Sequence, residues 1–168
     1  MQKDFVDGSL GTEEAQVIVP AVREKVEHFD GEIIFTKDTH TEDYLNTQEG
    51  QNLPVKHCIK GTPGHEIIEE LQPYTKKALA VFEKETFGSR KLAAFLKELH
   101  KEKEIESIEL IGLCTDICVV SNALLIKAFL PEIPISVDSS CCAGVTPEKH
   151  MSALKTMESC QIAVCQRS

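Results

Sequence analysis

The side chains best suited to covalent catalysis are those of a cysteine and a lysine, each of which follows a short apolar run. Cys118 lies at the start of a predicted helix, in the segment Gly112-Leu-Cys-Thr-Asp-Ile-Cys118. The positive end of a helix dipole lowers the pKa of a thiol, and a nearby ammonium group such as that of Lys84 lowers it further. A thiolate beside a proton carrier can act as the nucleophile of covalent hydrolysis. A lone cysteine after a strand is nevertheless more often a buried structural residue, so position alone leaves both interpretations open.

A second group of residues has the donor atoms of a metal site. Asp38 and His40 lie two positions apart, so their side chains share one side of an extended backbone. With His57 they form a set of nitrogen and oxygen ligands that suits Zn, Fe or Mn with open positions. Judged by spacing alone, a polar loop without metal is the more common outcome. The spacing therefore makes these three residues candidates only.

The elements that must position these residues alternate between short apolar runs and longer segments of helical period. This alternation is typical of βαβ units, and it predicts an α/β fold: a doubly wound, Rossmann-like three-layer sandwich with a mostly parallel sheet. Predicted strands cover residues 32–36, 78–82, 107–113, 133–137 and 161–164, and predicted helices cover 13–28, 64–71, 89–99, 116–129 and 147–157. Ligands bind at the carboxyl ends of parallel strands, so Asp38, Lys84 and Cys118 are expected to meet at one edge.

Composition limits the classes of protein to which the chain can belong. Its 168 residues, 42% hydrophobic and 27% charged, predict one domain over residues 1–168. A net charge of -9 argues against a nucleic-acid partner, since phosphate binding needs clustered Lys and Arg. No run approaches the roughly 20 apolar residues that span a membrane, and no apolar signal region is present. Seven cysteines in a chain of this size predict reduced thiols and a cytoplasmic location.

Five segments, taken in order, resemble the nicotinamidase and isochorismatase-like family of cysteine hydrolases. They cover residues 2–10, 36–40, 53–64, 84–89 and 112–119, and the last is the most specific. The resemblance extends over nearly the whole chain. It implies a hydrolase of linear amide C–N bonds, in the first place a nicotinamidase that converts nicotinamide and water to nicotinate and ammonia. It also implies a small-molecule amide substrate and a homo-oligomer.

The same resemblance implies a role for the residues around the nucleophile. Cys118 attacks the amide carbonyl and carries the acyl group as a thioester, while Lys84 assists its ionisation. The backbone N–H groups of Cys114 and Cys118 form an oxyanion hole, and a cis peptide joins Leu113 to Cys114.

The implied cofactor is a divalent metal, Zn or else Fe or Mn. Asp38, His40 and His57 are its implied ligands, and the metal holds the pyridine nitrogen of nicotinamide. Phe5 is expected to bind the substrate by packing on its ring.

The chain departs from the family pattern near residue 1. The family's catalytic aspartate aligns one position before Met1, whereas Asp4 matches the second acid of the opening motif and is given no catalytic role. No strand precedes the helix predicted at Glu13. We therefore expect the family's first strand and its aspartate to be missing, two strand edges to be exposed, and the activity to be low.

Two alternative functions remain open at this point. One is another hydrolase of the same family, acting on isochorismate or on a carbamoyl or ureido compound. The other is a catalytically impaired α/β protein that only binds its ligand.

Overall fold

The computed structural model describes residues 1–166 and contains five strands among helices of varied length. The strands are β1 (Ile34–Asp38), β2 (Ala80–Lys84), β3 (Ile108–Leu113), β4 (Ile135–Ala143) and β5 (Ala163–Cys165). The α-helices are α1 (Lys3–Val6), α2 (Glu13–Val17), α3 (Val19–His28), α4 (Gln48–Asn52), α5 (Gln72–Thr75), α6 (Arg90–Glu102), α7 (Val120–Phe129) and α8 (Pro147–Ser159). Two 3-10 turns (Tyr44–Asn46 and Pro63–His65) and one π-helical turn (Thr115–Val119) complete the elements. No helix in this part of the chain is long and apolar enough to cross a membrane.

All strand pairs within the sheets are parallel, and helices cover both faces. Strand β1 pairs with β2, and β4 lies between β3 and β5. Helices α6, α7 and α8 pack on one face through a core cluster that includes Leu96, Ile126 and Met157. Helix α3 packs on the other face through a second cluster that includes Val22 and Val26. The predicted α/β, doubly wound, three-layer fold with parallel strands is confirmed.

The sheet is divided between β1 and β3, which do not pair with each other in the described residues. A cleft of about 590 Å³ runs along the facing edges of the two strands. Ile135 and Val137 of β4 are 2% and 0% exposed, whereas their partners Ile108 and Leu110 in β3 are only half-buried. In the described residues no strand therefore pairs with the edge of β1 or of β3 that faces the cleft.

The side chain of Gln2 occupies the carboxyl end of the open edge of β1. Its Nε2 donates to the carbonyl oxygen of Asp38 at 2.8 Å, and its Oε1 accepts from the Asp38 N–H at 2.7 Å. The same Nε2 donates to the carbonyl oxygen of His65 at 2.9 Å. The buried amide thus makes the two bonds that a neighbouring strand would make, and it fixes the backbone of Asp38.

Two predicted helices differ from the structure for identifiable reasons. The helix predicted at 13–28 is interrupted, since Pro20 has no N–H to donate and instead lies in the first turn of α3. The helix predicted at 64–71 is wrong. There the backbone pairs with the segment around Gln2: Lys3 N–H donates to Glu66 at 2.9 Å, and Ile68 N–H donates to Met1 at 3.1 Å.

A partly buried ion cluster joins α3 to the larger part of the sheet. Lys25 Nζ lies 3.0 Å from Asp138 Oδ2 and 2.9 Å from Glu109 Oε2. Asp138 is 1% exposed, and the hydroxyl of Ser140 donates to its Oδ1 at 2.6 Å. Burial alone would raise the pKa of Asp138, but the hydrogen bonds from Ser140 and Lys25 outweigh it and hold the pKa below its usual value.

We predict that Lys25→Met lowers the free energy of unfolding by roughly 2–4 kcal/mol, because it leaves Asp138 buried without its ammonium partner. Urea unfolding at pH 7 measures the loss, and Arg23→Met on the exposed side of α3 is the matched control. The pKa of Asp138 is lower in the folded state, so the Lys25 contribution is present above the unfolded pKa of about 4 and decreases as pH falls below it. A loss that is equal in both variants, or that grows toward low pH, would contradict this prediction.

Candidate active site

Three of the predicted residues meet at the carboxyl edge of the sheet. Asp38 and Lys84 end the paired strands β1 and β2 in register, and Lys84 Nζ forms an ion pair with Asp38 Oδ1. The same Nζ lies 3.3 Å from Cys118 Sγ, and Asp38 Oδ2 lies 3.9 Å from that sulfur. Asp38 and Lys84 are both buried. The structure therefore brings a thiol, an ammonium group and a carboxylate together.

The turn after β3 holds Cys118 in this position. The peptide joining Leu113 to Cys114 is cis, as the resemblance implied. Gly112 just before it has a φ of +114°, a region that glycine adopts readily. The backbone N–H of Cys114 acts to lower the pKa of the Cys118 thiol, so it lies on the side of the sulfur. Its part in an oxyanion hole stays a prediction.

Asn122, which the sequence gave no reason to select, connects the turn to the lysine segment. Its Nδ2 donates to the carbonyl oxygen of Cys118 at 2.8 Å and to that of Phe87 at 3.2 Å. Its Oδ1 accepts from the N–H of Ser89 at 2.8 Å. The buried amide therefore sets the spacing between Cys118 and the chain that follows Lys84.

The protonation of Cys118 differs from the expectation. Burial raises the pKa of the Cys118 thiol to about 11, and the charge of Asp38 adds to this rise. Lys84 and the Cys114 N–H act in the opposite direction but do not outweigh burial. The expected lowering of the pKa is thus wrong for the resting site, because the sequence could not show how far the half-buried thiol is removed from water. At pH 7 the resting cysteine is a thiol, and Asp38 Oδ2 lies within reach of its proton.

The three candidate metal ligands also come together. One ligand atom from each of Asp38, His40 and His57 lies within 4.8 Å of the other two, and all three residues are buried. His57 Nδ1 is 2.9 Å from the carbonyl oxygen of Val55, which can only accept, so Nδ1 donates to it and Nε2 is the ring nitrogen available to a metal ion. His40 Nε2 is buried and has no hydrogen-bond partner in the described residues. Burial, followed by the charge of His57, lowers the pKa of His40. A neutral, unpartnered imidazole nitrogen fits a divalent metal ion.

Glu49 is a further carboxylate at this site that sequence reasoning missed. Its Oε1 lies 3.7 Å from Nε2 of His40 and 3.7 Å from Nε2 of His57. Burial raises the pKa of Glu49, and the charge of Asp38 raises it further. Helix α4 carries Glu49 within the long connection after β1, and Thr47 caps this helix by accepting from the Gly50 N–H at 3.0 Å. No sequence spacing distinguished Glu49 from the other polar residues of the connection.

Phe5 contacts His57 and shares a small cavity with Cys118. Its ring centroid is 5.4 Å from that of His57 in an edge-on arrangement. Phe5 also lines a cavity of about 30 Å³ together with Asp38, Lys84 and Cys118. An apolar ring is therefore available beside the nucleophile, and its contact with a substrate stays a prediction.

The chain is similar to known proteins over most or all of its length. The family model described as the isochorismatase domain matches residues 1–168. A curated relative, the uncharacterized isochorismatase family protein PncA of Bacillus subtilis (strain 168), is 29% identical over 162 residues, which are 90% of this chain and 86% of that protein.

Several solved structures are also similar to this chain in fold. The nicotinamidase/pyrazinamidase PncA of Bacillus subtilis is 26% identical, with a TM-score of 0.79 over 98% of this chain and 94% of that one. The pyrazinamidase/nicotinamidase of Streptococcus mutans UA159 is 26% identical, with a TM-score of 0.81 over 98% and 95% of the two chains. The pyrazinamidase of Pyrococcus horikoshii, solved in complex with zinc, is 25% identical, with a TM-score of 0.77 over 99% and 95%.

We predict that the protein binds one equivalent of Zn²⁺ and that His57→Ala weakens this binding at least about 100-fold, because an imidazole ligand is lost. Isothermal titration calorimetry on metal-free protein measures the affinity. His28→Ala, in an exposed residue of α3, is the matched control and should bind like the wild type. Equal weakening in both variants, or undiminished binding by His57→Ala, would show that the metal binds elsewhere.

Proposed function

This chain belongs to the isochorismatase family, and on that premise we propose that it is a metal-assisted cysteine amidohydrolase that converts nicotinamide and water to nicotinate and ammonia. The observation that carries the proposal is the contact of Cys118 Sγ with Lys84 Nζ at 3.3 Å, beside the carboxylate of Asp38. The likeness to nicotinamidases over nearly the whole chain supports the choice of substrate.

The first half of the reaction forms a thioester on Cys118. The thiol proton passes to Asp38 Oδ2, 3.9 Å away, and the Lys84 ammonium stabilises the thiolate that results. The sulfur attacks the amide carbonyl, and the N–H groups of Cys114 and Cys118 stabilise the developing oxyanion, typically by roughly 3–4 kcal/mol each. Asp38 then returns the proton to the amide nitrogen, the C–N bond breaks, and ammonia leaves.

The second half releases the acid. Water attacks the thioester while Asp38 takes one of its protons, as general bases do in such steps. The C–S bond breaks, nicotinic acid leaves and ionises to nicotinate by giving a proton to the solvent, and the thiolate recovers a proton from Asp38. In this scheme Asp38 acts as the proton carrier and Lys84 keeps its charge throughout. The pKa of Lys84 is raised by Cys118 and Asp38 although burial opposes it, which supports that role.

Asp38, His40 and His57 are the residues proposed to hold the divalent metal, and Glu49 offers a further oxygen beside the two imidazoles. A bound Zn²⁺, or Fe²⁺ or Mn²⁺, supplies a Lewis-acid position for the pyridine nitrogen of the substrate. The zinc complex of the Pyrococcus horikoshii pyrazinamidase supports Zn²⁺ as the first ion to test. Phe5 lies next to His57 and is proposed to pack on the pyridine ring.

We predict that Cys118→Ala reduces the rate of ammonia release from nicotinamide at least about 1,000-fold relative to the unchanged protein, because the thioester cannot form. A coupled ammonia assay measures the rate, and circular dichroism checks the fold. Cys160→Ala, which changes an exposed thiol, should leave the rate unchanged. Ammonia release that survives in Cys118→Ala would exclude this residue as the nucleophile.

A chelator separates the metal-dependent reaction from its alternatives. Dialysis against EDTA should abolish ammonia release, and one equivalent of Zn²⁺ should restore it, because the substrate loses its anchor without the ion. Full activity without metal would contradict the metal-assisted mechanism. A metal-loaded protein that hydrolyses isochorismate or a carbamoyl compound, but not nicotinamide, would favour the other branch of the family.

A further inference from the structure

The side-chain amide of Asn122 bonds to main-chain groups of two separate segments. Its Nδ2 donates to the carbonyl oxygen of Cys118 at 2.8 Å and to that of Phe87 at 3.2 Å. Its Oδ1 accepts from the Ser89 N–H at 2.8 Å. Asn122 is 5% exposed, so solvent competes little for these bonds. The amide thus donates both of its hydrogens and accepts one, and the opposite orientation would place its NH2 group against an N–H.

The segment that follows Lys84 forms a defined turn against α7. The Thr86 hydroxyl donates to the carbonyl oxygen of Gly88 at 2.8 Å, which closes the turn, and the Ser89 side chain then caps α6. A Cβ on Gly88 would lie 3.2 Å from the carbonyl oxygen of Ser121, so the turn packs closely on the start of α7. The hydrogen bonds of the amide to this turn therefore fix the exit of β2 relative to α7.

The reacting groups come from the two segments that this amide joins. Lys84 ends β2, Cys118 lies in the π-helical turn before α7, and their side chains meet at 3.3 Å between Nζ and Sγ. Such contacts tolerate little displacement, since an error of about 1 Å in the position of a catalytic group can reduce a rate about 100-fold. Asn122 bonds to the carbonyl group of the nucleophile and to the turn after the lysine. Its bonds therefore act on the distance between the ammonium group and the sulfur.

We propose that Asn122 is a positioning residue of the cysteine hydrolase, and that its side-chain amide keeps the Lys84 ammonium group in contact with the Cys118 sulfur. The inference rests on the proposed function, because Cys118 is the nucleophile there. Asn122 contributes through the main chain of the two segments, and the reacting groups remain those of Lys84 and Cys118. The position requires a carboxamide: aspartate would keep the acceptor for the Ser89 N–H but would place an oxygen against two carbonyl oxygens.

Support of the helix packing alone is the competing explanation. Asn122 lies in the first turn of α7 and Ser89 caps α6, and these two helices share a core cluster that includes Leu96 and Ile126. If Asn122 served this packing only, its replacement would lower Tm while the folded protein kept the reactivity of Cys118. A positioning role instead changes the reactivity of the sulfur in the folded protein. The reactivity of the sulfur therefore separates the two explanations.

The first measurement is the rate at which iodoacetamide alkylates Cys118 at pH 8 in the protein as purified, without substrate, followed by mass spectrometry of its peptide. The thiolate is the species that reacts, and the Lys84 ammonium group stabilises it. Asn122→Asp and Asn122→Ala should each slow the alkylation of Cys118 at least about tenfold, while exposed Cys160 reacts at its usual rate. Thr12→Ala, which removes the cap of α2 and lowers Tm, should leave both rates unchanged.

A second background tests whether Asn122 acts through the lysine. When Lys84→Met has already removed the ammonium group, Asn122→Asp should slow the alkylation of Cys118 by no more than about twofold, because the contact that it maintains is gone. Circular dichroism identifies any variant that does not fold. Asn122→Ala, whose small side chain suits a helix, keeps the test available if Asn122→Asp is unfolded.

Turnover of nicotinamide gives an independent measurement. In Asn122→Asp, kcat should fall at least about tenfold while KM changes less than about threefold, because the hydrogen bonds of Asn122 go to Cys118, Phe87 and Ser89 rather than to Phe5 or the proposed metal ligands. Slowed alkylation in a protein that releases no ammonia from nicotinamide would support the positioning role and contradict the proposed function.

Two results would overturn the proposal. One is alkylation of Cys118 that is unchanged or faster in folded Asn122→Asp and Asn122→Ala, whatever the loss of Tm. The other is an equally large effect of Asn122→Asp in the Lys84→Met background, which would show that the amide does not act through the lysine.

Discussion

The ion pair between Lys84 and Asp38 is the interaction on which the site depends. It places two charges in the protein interior, where the desolvation penalty is large unless each charge has partners. The two charges are partners of each other, and the surrounding backbone holds them together. Gln2 fixes the backbone of Asp38, and Asp38 and Lys84 end paired strands in register. Cys118 then completes the cluster from the turn after β3. Displacement of either charged side chain would therefore separate the nucleophile from both of its partners.

Asp38 has to serve two groups at once. Its two oxygens contact Lys84 and Cys118, yet it also lies within ligand distance of His40 and His57. A metal ion held by these residues would share this carboxylate with the ammonium group, so the metal site and the nucleophile would be coupled through Asp38. Glu49 Oε1 lies 3.7 Å from Nε2 of both histidines, so this second carboxylate is available to a metal ion while Asp38 contacts Lys84 and Cys118. The site is compact because one residue connects the metal ligands to the nucleophile.

Sequence reasoning located the residues that follow strands and missed those whose role depends on the tertiary fold. Asp38, Lys84 and Cys118 could be placed because the carboxyl ends of parallel strands share one edge. Gln2 could not, because it acts on a residue 36 positions away through its side-chain amide. The backbone of Gln2 also forms a bridge with Ile67, inside the segment that was predicted to be a helix at 64–71. The pKa of Cys118 was predicted in the wrong direction because burial, which a sequence does not display, exceeds the influence of Lys84.

The chemistry proposed for Cys118 requires a covalent intermediate, and that intermediate can be observed. Acid quenching of the zinc-loaded protein during turnover of nicotinamide, followed by mass spectrometry of its peptides, measures where the acyl group is attached. The proposed mechanism predicts one nicotinoyl group, in thioester linkage, on the peptide that contains Cys118. Ammonia release with no such adduct, or with the adduct on one of the other six of the seven cysteines, would contradict it.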